Sequence, residues 1–185
     1  MGEQHKKHNR REHLNDFHLN VAGEYVYDGA LYACQSDDAK QRRSKRAVWG
    51  MAAILTVAVA AGGCIPAPGM QNCFYVLLPY LGEFLGAASV IWALAKLGMD
   101  WGTVREYNYK KSVAVLPVRT AVTAVFSLLG IVCELIFFFV NDHAGQTFFA
   151  LLYVLLKLIA LLSVLVLRAE IMQAEWDKIP KKDKS

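Results

Sequence analysis

The chain has 185 residues, 55% of them hydrophobic, and a formal net charge of +4. Of its 20 Lys and Arg residues, only Arg119 and Lys157 lie deep inside four long apolar runs, whereas a soluble helical protein distributes charges along every helix. This distribution excludes a soluble helical domain. No recognisable nucleic-acid-binding motif accompanies the positive charge, so nucleic-acid binding is not predicted.

The first predicted element is a polar arm over residues 1–46. Residues 1–13 offer almost nothing apolar to bury, which predicts disorder. Two strand-like stretches then flank Asp28 and Gly29, whose residue types tolerate the backbone angles of a tight turn, so we expect a small cytosolic β-hairpin over 24–34. The histidines of the arm fit no closed metal site even together with Cys34, and no metal or other cofactor is predicted. They are His5, His8, His13 and His18.

An isolated hairpin is marginal in water, so this one needs a surface on which to lie. The aromatic stretch at 106–110, between the second and third apolar runs, is a candidate for that surface and even for a third strand. Alternatively, the tyrosines lie at the level of the lipid headgroups as interfacial aromatics. The face that these residues would present to a cytosolic partner consists of Tyr25, Tyr27, Tyr32, Tyr107 and Tyr109.

Four apolar runs follow the arm, and each is near or above the ~20 residues that cross the hydrocarbon core of a bilayer. They predict an all-α integral membrane protein with a four-helix transmembrane bundle over 47–168. The first run begins too late in the chain for a cleavable secretory signal. The predicted helices lie at about 47–65, 74–97, 113–140 and 147–167.

Beyond the fourth run, residues 169–185 are predicted to be a cytosolic tail. Met172, Trp176 and Ile179 follow helical spacing up to Pro180, which predicts an amphipathic extension of the fourth helix. The Lys-rich end after Pro180 is too polar to pack, so we expect it to be disordered.

The orientation follows from the positive charges between the runs. The arm, the loop between the second and third runs and the tail all carry Lys and Arg, whereas 66–73 and 141–146 carry none. Positively charged loops stay in the cytoplasm, which predicts a multi-pass protein of the plasma (cytoplasmic) membrane with both termini cytosolic. The basic segment 40–46 would anchor the first helix and can hold anionic headgroups, so membrane lipid is an expected partner.

Two of the four cysteines, Cys64 and Cys73, flank the first outer loop. The loop is short, and antiparallel helix neighbours pack ~8–10 Å apart, so the separation of bridged cysteines is reachable. A disulfide and a pair of free thiols both remain open.

Charged residues inside the runs are the candidate functional residues, because a charge in hydrocarbon costs at least ~2.5–3.5 kcal/mol. Counting ~1.5 Å per residue places Glu83 and Lys157 at a common depth near the midplane, with Glu134 somewhat nearer the outer end. We expect an ionic triad of these three residues, which either pins the helix register or handles protons or ions. Arg119 is expected to snorkel to the cytosolic interface or, alternatively, to hold an anion in a cavity.

Small and weakly polar residues form stripes on two of the helices. Small residues at this spacing let helices approach closely in lipid, although a pore lining is the alternative. The packing candidates are Gly82, Gly86, Thr123, Ser127 and Gly130.

No phosphate-binding loop, nucleophile signature or His-Glu metal motif is present, so no enzyme is predicted. The chain is similar to the four-helix membrane thiol oxidoreductases only in helix number and in having cysteines near the outer face, and it lacks their Cys-x-x-Cys. The sequence favours a non-enzymatic membrane subunit or scaffold with a protein partner or self-association. A small oligomeric channel or transporter using the Glu/Lys cluster is the second hypothesis, and a thiol-modifying or lipid-modifying enzyme is the third.

Overall fold

The computed structural model describes residues 17–19, 23, 25–27, 29–35, 37–98, 102–141 and 146–179. The helices are α1 Asp38–Cys64, α2 Pro68–Asn72, α3 Phe74–Leu97, α4 Glu106–Lys111, α5 Leu116–Val140 and α6 Thr147–Gln173. The strands are β1 Phe17–Leu19, β2 Tyr25–Tyr27, β3 Leu31–Cys34, β4 Thr103–Arg105 and β5 Trp176–Ile179.

The described part of the chain contains four helices long and apolar enough to cross a membrane, which confirms the predicted membrane-spanning helices. Helix α1 begins at Asp38, so the basic segment 40–46 forms its first turns. Helix α5 begins at Leu116 with Pro117 in its first turn, where a missing backbone N–H breaks no helical hydrogen bond. Helix α6 runs on to Gln173 before the chain becomes extended.

The four long helices pack as a ring in the order α1, α6, α5, α3, and α3 packs against α1 to complete it. Adjacent helices in the ring run antiparallel. Their outward faces carry large apolar side chains, among them Val57, Leu85 and Leu162, which are 68%, 68% and 62% exposed. A soluble monomer rarely exposes apolar surface on this scale. The outer surface therefore suits hydrocarbon.

A three-stranded antiparallel sheet covers one end of the bundle. Strand β3 is central and pairs with β4 on one side and with β5 on the other. The Tyr32 ring stacks on Tyr109 of α4, with centroids 4.0 Å apart and planes within 2°, and Trp176 of β5 lies 6.0 Å from Tyr109. We call this end the sheet end, and the end where α1 leads into α2 the far end.

The predicted hairpin over 24–34 is wrong. Strand β2 pairs antiparallel with β1, which precedes it, and β3 pairs with segments far away in sequence. The turn residues correctly separate two strands, but each strand finds a different partner. Local turn chemistry cannot reveal this, because pairing in a sheet depends on what the rest of the chain brings alongside.

Two further expectations about this end hold in part. Residues 106–110 do pack against the sheet through Tyr109, but as a helix and not as the possible third strand, and Glu106 and Lys110 form an ion pair of 2.7 Å at the i, i+4 spacing that supports a helix. Helix α6 does extend beyond Leu167, but it ends at Gln173 and not at Pro180, because residues 176–179 form strand β5 along β3. The predicted disorder of 1–13 and of the chain from Pro180 onward concerns residues outside the described part of the chain.

The bundle core changes character along its axis. From the sheet end to the middle it is mainly apolar and its buried polar side chains are uncharged, with Val48, Leu94 and Leu167 in one buried cluster and Leu55, Val59 and Val164 in the next. Toward the far end the buried side chains include Glu83, Lys157 and Glu134. The candidate site therefore lies in a polar layer beyond an apolar core.

Candidate functional site

The site is built on a buried ion pair between α3 and α6. Lys157 is 2% exposed and Glu83 is 0% exposed, and the Lys157 ammonium donates to Glu83 Oε2. The Lys157 side chain lies against Gly130 of α5, where an added Cβ would stand 3.6 Å from Lys157 Cε. Ser127, one turn earlier on α5, donates its hydroxyl to the Lys157 carbonyl at 3.3 Å. The pair thus joins three helices.

Two aromatic rings flank the ammonium. Lys157 Nζ lies 4.6 Å from the Tyr80 ring centroid and 5.1 Å from that of Tyr153. A ring face attracts a desolvated cation by up to about 2 kcal/mol. Neither tyrosine was predicted from the sequence, although the signal was available. Tyr80 precedes Glu83 by three residues and Tyr153 precedes Lys157 by four, which are the spacings of neighbours on one helix face.

Glu134 does not join the ion pair, so the predicted triad is corrected to a pair with a separate carboxylate nearby. Glu134 is 0% exposed, and its Oε1 accepts a hydrogen bond of 3.4 Å from the backbone N–H of Gly69. The physical reason is α2, which turns inward between α1 and α3 and buries Ala67, Pro68 and Gly69. At Gly69 an added Cβ would overlap Glu134 Oε2, so a side chain there would displace the carboxylate from its present position.

Three buried oxygens around the pair have no hydrogen-bond partner among the described residues. They are Glu83 Oε1, Glu134 Oε2 and the Tyr153 hydroxyl. They come from α3, α5 and α6, and both carboxyls lie within electrostatic range of the Tyr153 hydroxyl. Buried polar atoms normally find a partner, so three together mark a place with unused binding capacity.

Arg119 lies elsewhere. Its guanidinium donates to the Ser89 carbonyl of α3 at 2.6 Å, and the side chain is half-buried. In this arrangement the guanidinium is held by a backbone carbonyl of a neighbouring helix, and the expected snorkelling to the interface stays a prediction. Arg119 reaches across to the neighbouring helix at its own level.

The small-residue stripes face protein. An added Cβ at Gly86 would stand 2.5 Å from Thr123 Oγ1, and one at Gly82 would meet the Phe126 ring at 2.5 Å. Thr123 and Ser127 are both 0% exposed. Helices α3 and α5 therefore approach closely at the two glycines, as small residues allow in lipid.

Cys64 and Cys73 are free thiols, as are Cys34 and Cys133. Cys64 is exposed at the end of α1 and Cys73 is half-buried before α3. Because α2 turns inward between them, their connection is a folded element rather than the plain loop on which the possible disulfide was argued.

The five predicted tyrosines of the sheet end divide into two groups. Tyr32 and Tyr109 stack on each other where the sheet meets the bundle, and Tyr27 faces the Arg105 guanidinium at 5.2 Å. Tyr25 and Tyr107 point outward, at 75% and 39% exposed. Only the second pair presents substantial ring surface to a partner.

Comparison with models of protein families, with curated proteins and with solved structures finds no match for this chain.

Proposed function

We propose that the protein is a non-enzymatic membrane subunit or scaffold whose sheet end faces the cytosol and receives a protein partner. The observation that carries the proposal is the sheet itself. Three segments separated in sequence by the long helices are gathered at one end of the bundle into one folded surface. A small, rigid, tyrosine-rich surface on a membrane anchor is suited to docking another protein.

The distribution of positive charge supports the orientation. The basic first turns of α1 and the lysines of α4, Lys110 and Lys111, belong to the sheet end. At the far end, the connecting residues 65–73 and 141–146 contain no Lys or Arg. By the positive-inside rule the sheet end is cytosolic in this proposal, with the plasma membrane as the location.

The chemistry of the sheet end favours a protein partner. Tyr25 and Tyr107 offer exposed aromatic surface, the side-chain type enriched at protein interfaces. Strand β5 lies at an edge of the sheet and residues 177–179 are exposed. An edge strand can add a partner's strand through its backbone groups.

The ion pair fits a structural role within this proposal. Lys157 has Glu83 as its counter-ion and two aromatic rings beside it, and neither charge is accessible to solvent. A buried pair of this kind fixes which helix faces meet. In the proposed subunit it keeps α3 and α6 in register under the docking surface.

A small oligomeric channel or a proton- or ion-coupled transporter is the second candidate. It is favoured by one observation, the three buried oxygens without partners beside Lys157. Intramembrane carboxylates with free capacity are typical of ion pathways.

The test of the docking proposal is purification of tagged protein in mild detergent, with quantification of co-purifying proteins. The wild type is compared with a Tyr25→Ser, Tyr107→Ser double variant. The matched control is Phe74→Ser, which removes an exposed aromatic ring (72% exposed) at the far end.

We expect a stoichiometric partner with the wild type and with Phe74→Ser, and its loss with the double variant. A chain that purifies as a uniform self-oligomer without a partner would favour the channel or transporter instead. A partner retained equally by all three proteins would show that the sheet end does not bind it.

A further inference from the structure

Among the residues that the structure describes, the polar layer toward the far end holds unequal numbers of opposite charges. Glu83 and Glu134 contribute two carboxyls and Lys157 one ammonium, and each of these side chains is no more than 2% exposed. The Arg119 guanidinium donates to the Ser89 carbonyl in the sheet half of α3, away from this layer. Helix α1 has no charged residue between Ala47 and Cys64. If both carboxyls were ionised, a buried negative charge would be left without compensation, which is costly in a low-dielectric interior.

The same layer contains the three oxygens that find no hydrogen-bond partner in the described part of the chain, Glu83 Oε1, Glu134 Oε2 and the Tyr153 hydroxyl. All three can accept, and both carboxyls lie within electrostatic range of the Tyr153 hydroxyl. A positively charged ligand would compensate the excess negative charge and would also give the three oxygens a partner.

We propose that Glu134, together with Tyr153 and the free oxygen of Glu83, binds one positive charge taken up from solution, either a proton or an alkali-metal cation. Glu134 is the binding carboxyl because Glu83 already has Lys157 as its counter-ion, whereas among the described residues the hydrogen-bond partner of Glu134 is the Gly69 N–H alone. The route is from the far end, because Glu134 lies six residues from the end of α5 at Val140, which is ~9 Å along the helix.

Gly69 gives the site its selectivity for a small ligand. Its missing side chain lets the α2 backbone close over Glu134, and an added methyl group would overlap Glu134 Oε2. This close packing of backbone against the carboxyl leaves no room there for an organic cation, so the ligand we infer is a proton or a bare monovalent ion. This inference concerns the far end and does not depend on the docking proposal for the sheet end.

The pH response of the site depends on the groups that face it. Helix α1 contributes only the Cys64 thiol at its end and α2 only backbone groups. Among the described residues, the remaining titratable neighbours are Cys73, Tyr75, Tyr80, Glu83, Cys133, Tyr153 and Lys157.

The test uses the full-length protein in detergent or nanodiscs. The unfolding midpoint is measured in NaCl, KCl and choline chloride at equal ionic strength, and an infrared spectrum is searched for the C=O band of a neutral carboxylic acid. The variants are Glu134→Gln at the site and Glu106→Gln as a control, because Glu106 is a more exposed carboxyl of the sheet end.

A midpoint that rises with sodium or potassium but not with choline, and loses this response in Glu134→Gln, identifies the ligand as an alkali cation. A carboxylic-acid band that is present without any cation response and is lost in Glu134→Gln identifies it as a proton. Glu106→Gln should change neither signal. Both signals are first measured on the wild type, so the absence of both there overturns the proposal even if a variant fails to fold.

Discussion

At the scale of single residues, the Glu83 and Lys157 side chains dominate the energetics of the far end, because each is buried and each depends on the other. Removing one partner of a buried pair leaves an uncompensated charge, whereas removing both can be nearly neutral. Glu83→Gln should therefore lower the free energy of unfolding by about 3–5 kcal/mol, as measured by chemical denaturation in detergent.

The double variant Glu83→Gln, Lys157→Met should recover much of that loss, since no buried charge is then left alone. Glu106→Gln breaks the more exposed ion pair of α4 and should have little effect. A double variant as unstable as Glu83→Gln would contradict the assignment of the pair.

The ion pair between Glu83 and Lys157 could be predicted from the sequence, whereas the hydrogen-bond partner of Glu134 could not. Counting the helical rise from the outer ends put Glu83 and Lys157 at the same depth, which is where the structure joins them. The bond between Gly69 and Glu134 depends on the inward turn of α2. That turn is set by tertiary packing, and nothing in the pattern of residues 65–73 specifies its direction.

At the scale of elements, the close contact between α3 and α5 depends on Gly86, which has no side chain to separate the two helices. A Cβ at Gly86 would stand 3.3 Å from the Thr123 backbone Cα, which cannot rotate away. Gly86→Ala should therefore force the helices apart and destabilise by about 1–3 kcal/mol, as overpacked sites do. The unfolding midpoint in detergent measures this.

Gly50→Ala is the matched control, because an added Cβ at Gly50 of α1 meets nothing within 4 Å. There the substitution should be neutral or should stabilise by up to about 1 kcal/mol through helix propensity. Equal effects at the two glycines would show that α3 and α5 do not pack closely at Gly86.

Strand β5 makes a second prediction at this scale. A chain truncated after Gln173 lacks β5 and leaves one edge of β3 unpaired. The amides of 31–34 should then exchange hydrogen faster, as followed by mass spectrometry. Truncation after Ile179 keeps β5 and should leave the exchange unchanged. Equally slow exchange in both truncated proteins would mean that β5 does not stabilise β3.

The long helices were predictable, whereas the pairing of the strands and the existence of β5 were not, for one physical reason. A membrane helix satisfies its backbone hydrogen bonds within itself, so length and apolarity of a run are sufficient signals. Residues 176–179 have helical spacing in the sequence but form a strand because β3 lies alongside. A short strand takes its identity from its neighbour, which local patterns do not contain.

At the scale of the whole molecule, the proposed orientation separates the cysteines. Cys34 ends β3 at the sheet end and Cys64 is exposed at the far end. In intact cells an impermeant thiol reagent should label a variant whose only cysteine is Cys64, and should label a Cys34-only variant after permeabilisation alone. The reverse pattern would invert the topology.

The positions of the three strands along the chain also determine when the sheet can form during synthesis and membrane insertion. Strand β3 precedes every long helix in the chain, β4 lies between the second and third, and β5 follows the last. In the proposed topology, the sheet can be completed only after all four helices have been synthesised and inserted, because only then do its three strands lie on the same side of the bilayer. A chain with one helix skipped or inverted keeps its strands apart and leaves Tyr32, Tyr109 and Trp176 without their ring contacts. Closure of this small sheet therefore depends on the correct insertion of all four helices, and without it these aromatic rings lose the packing that covers them.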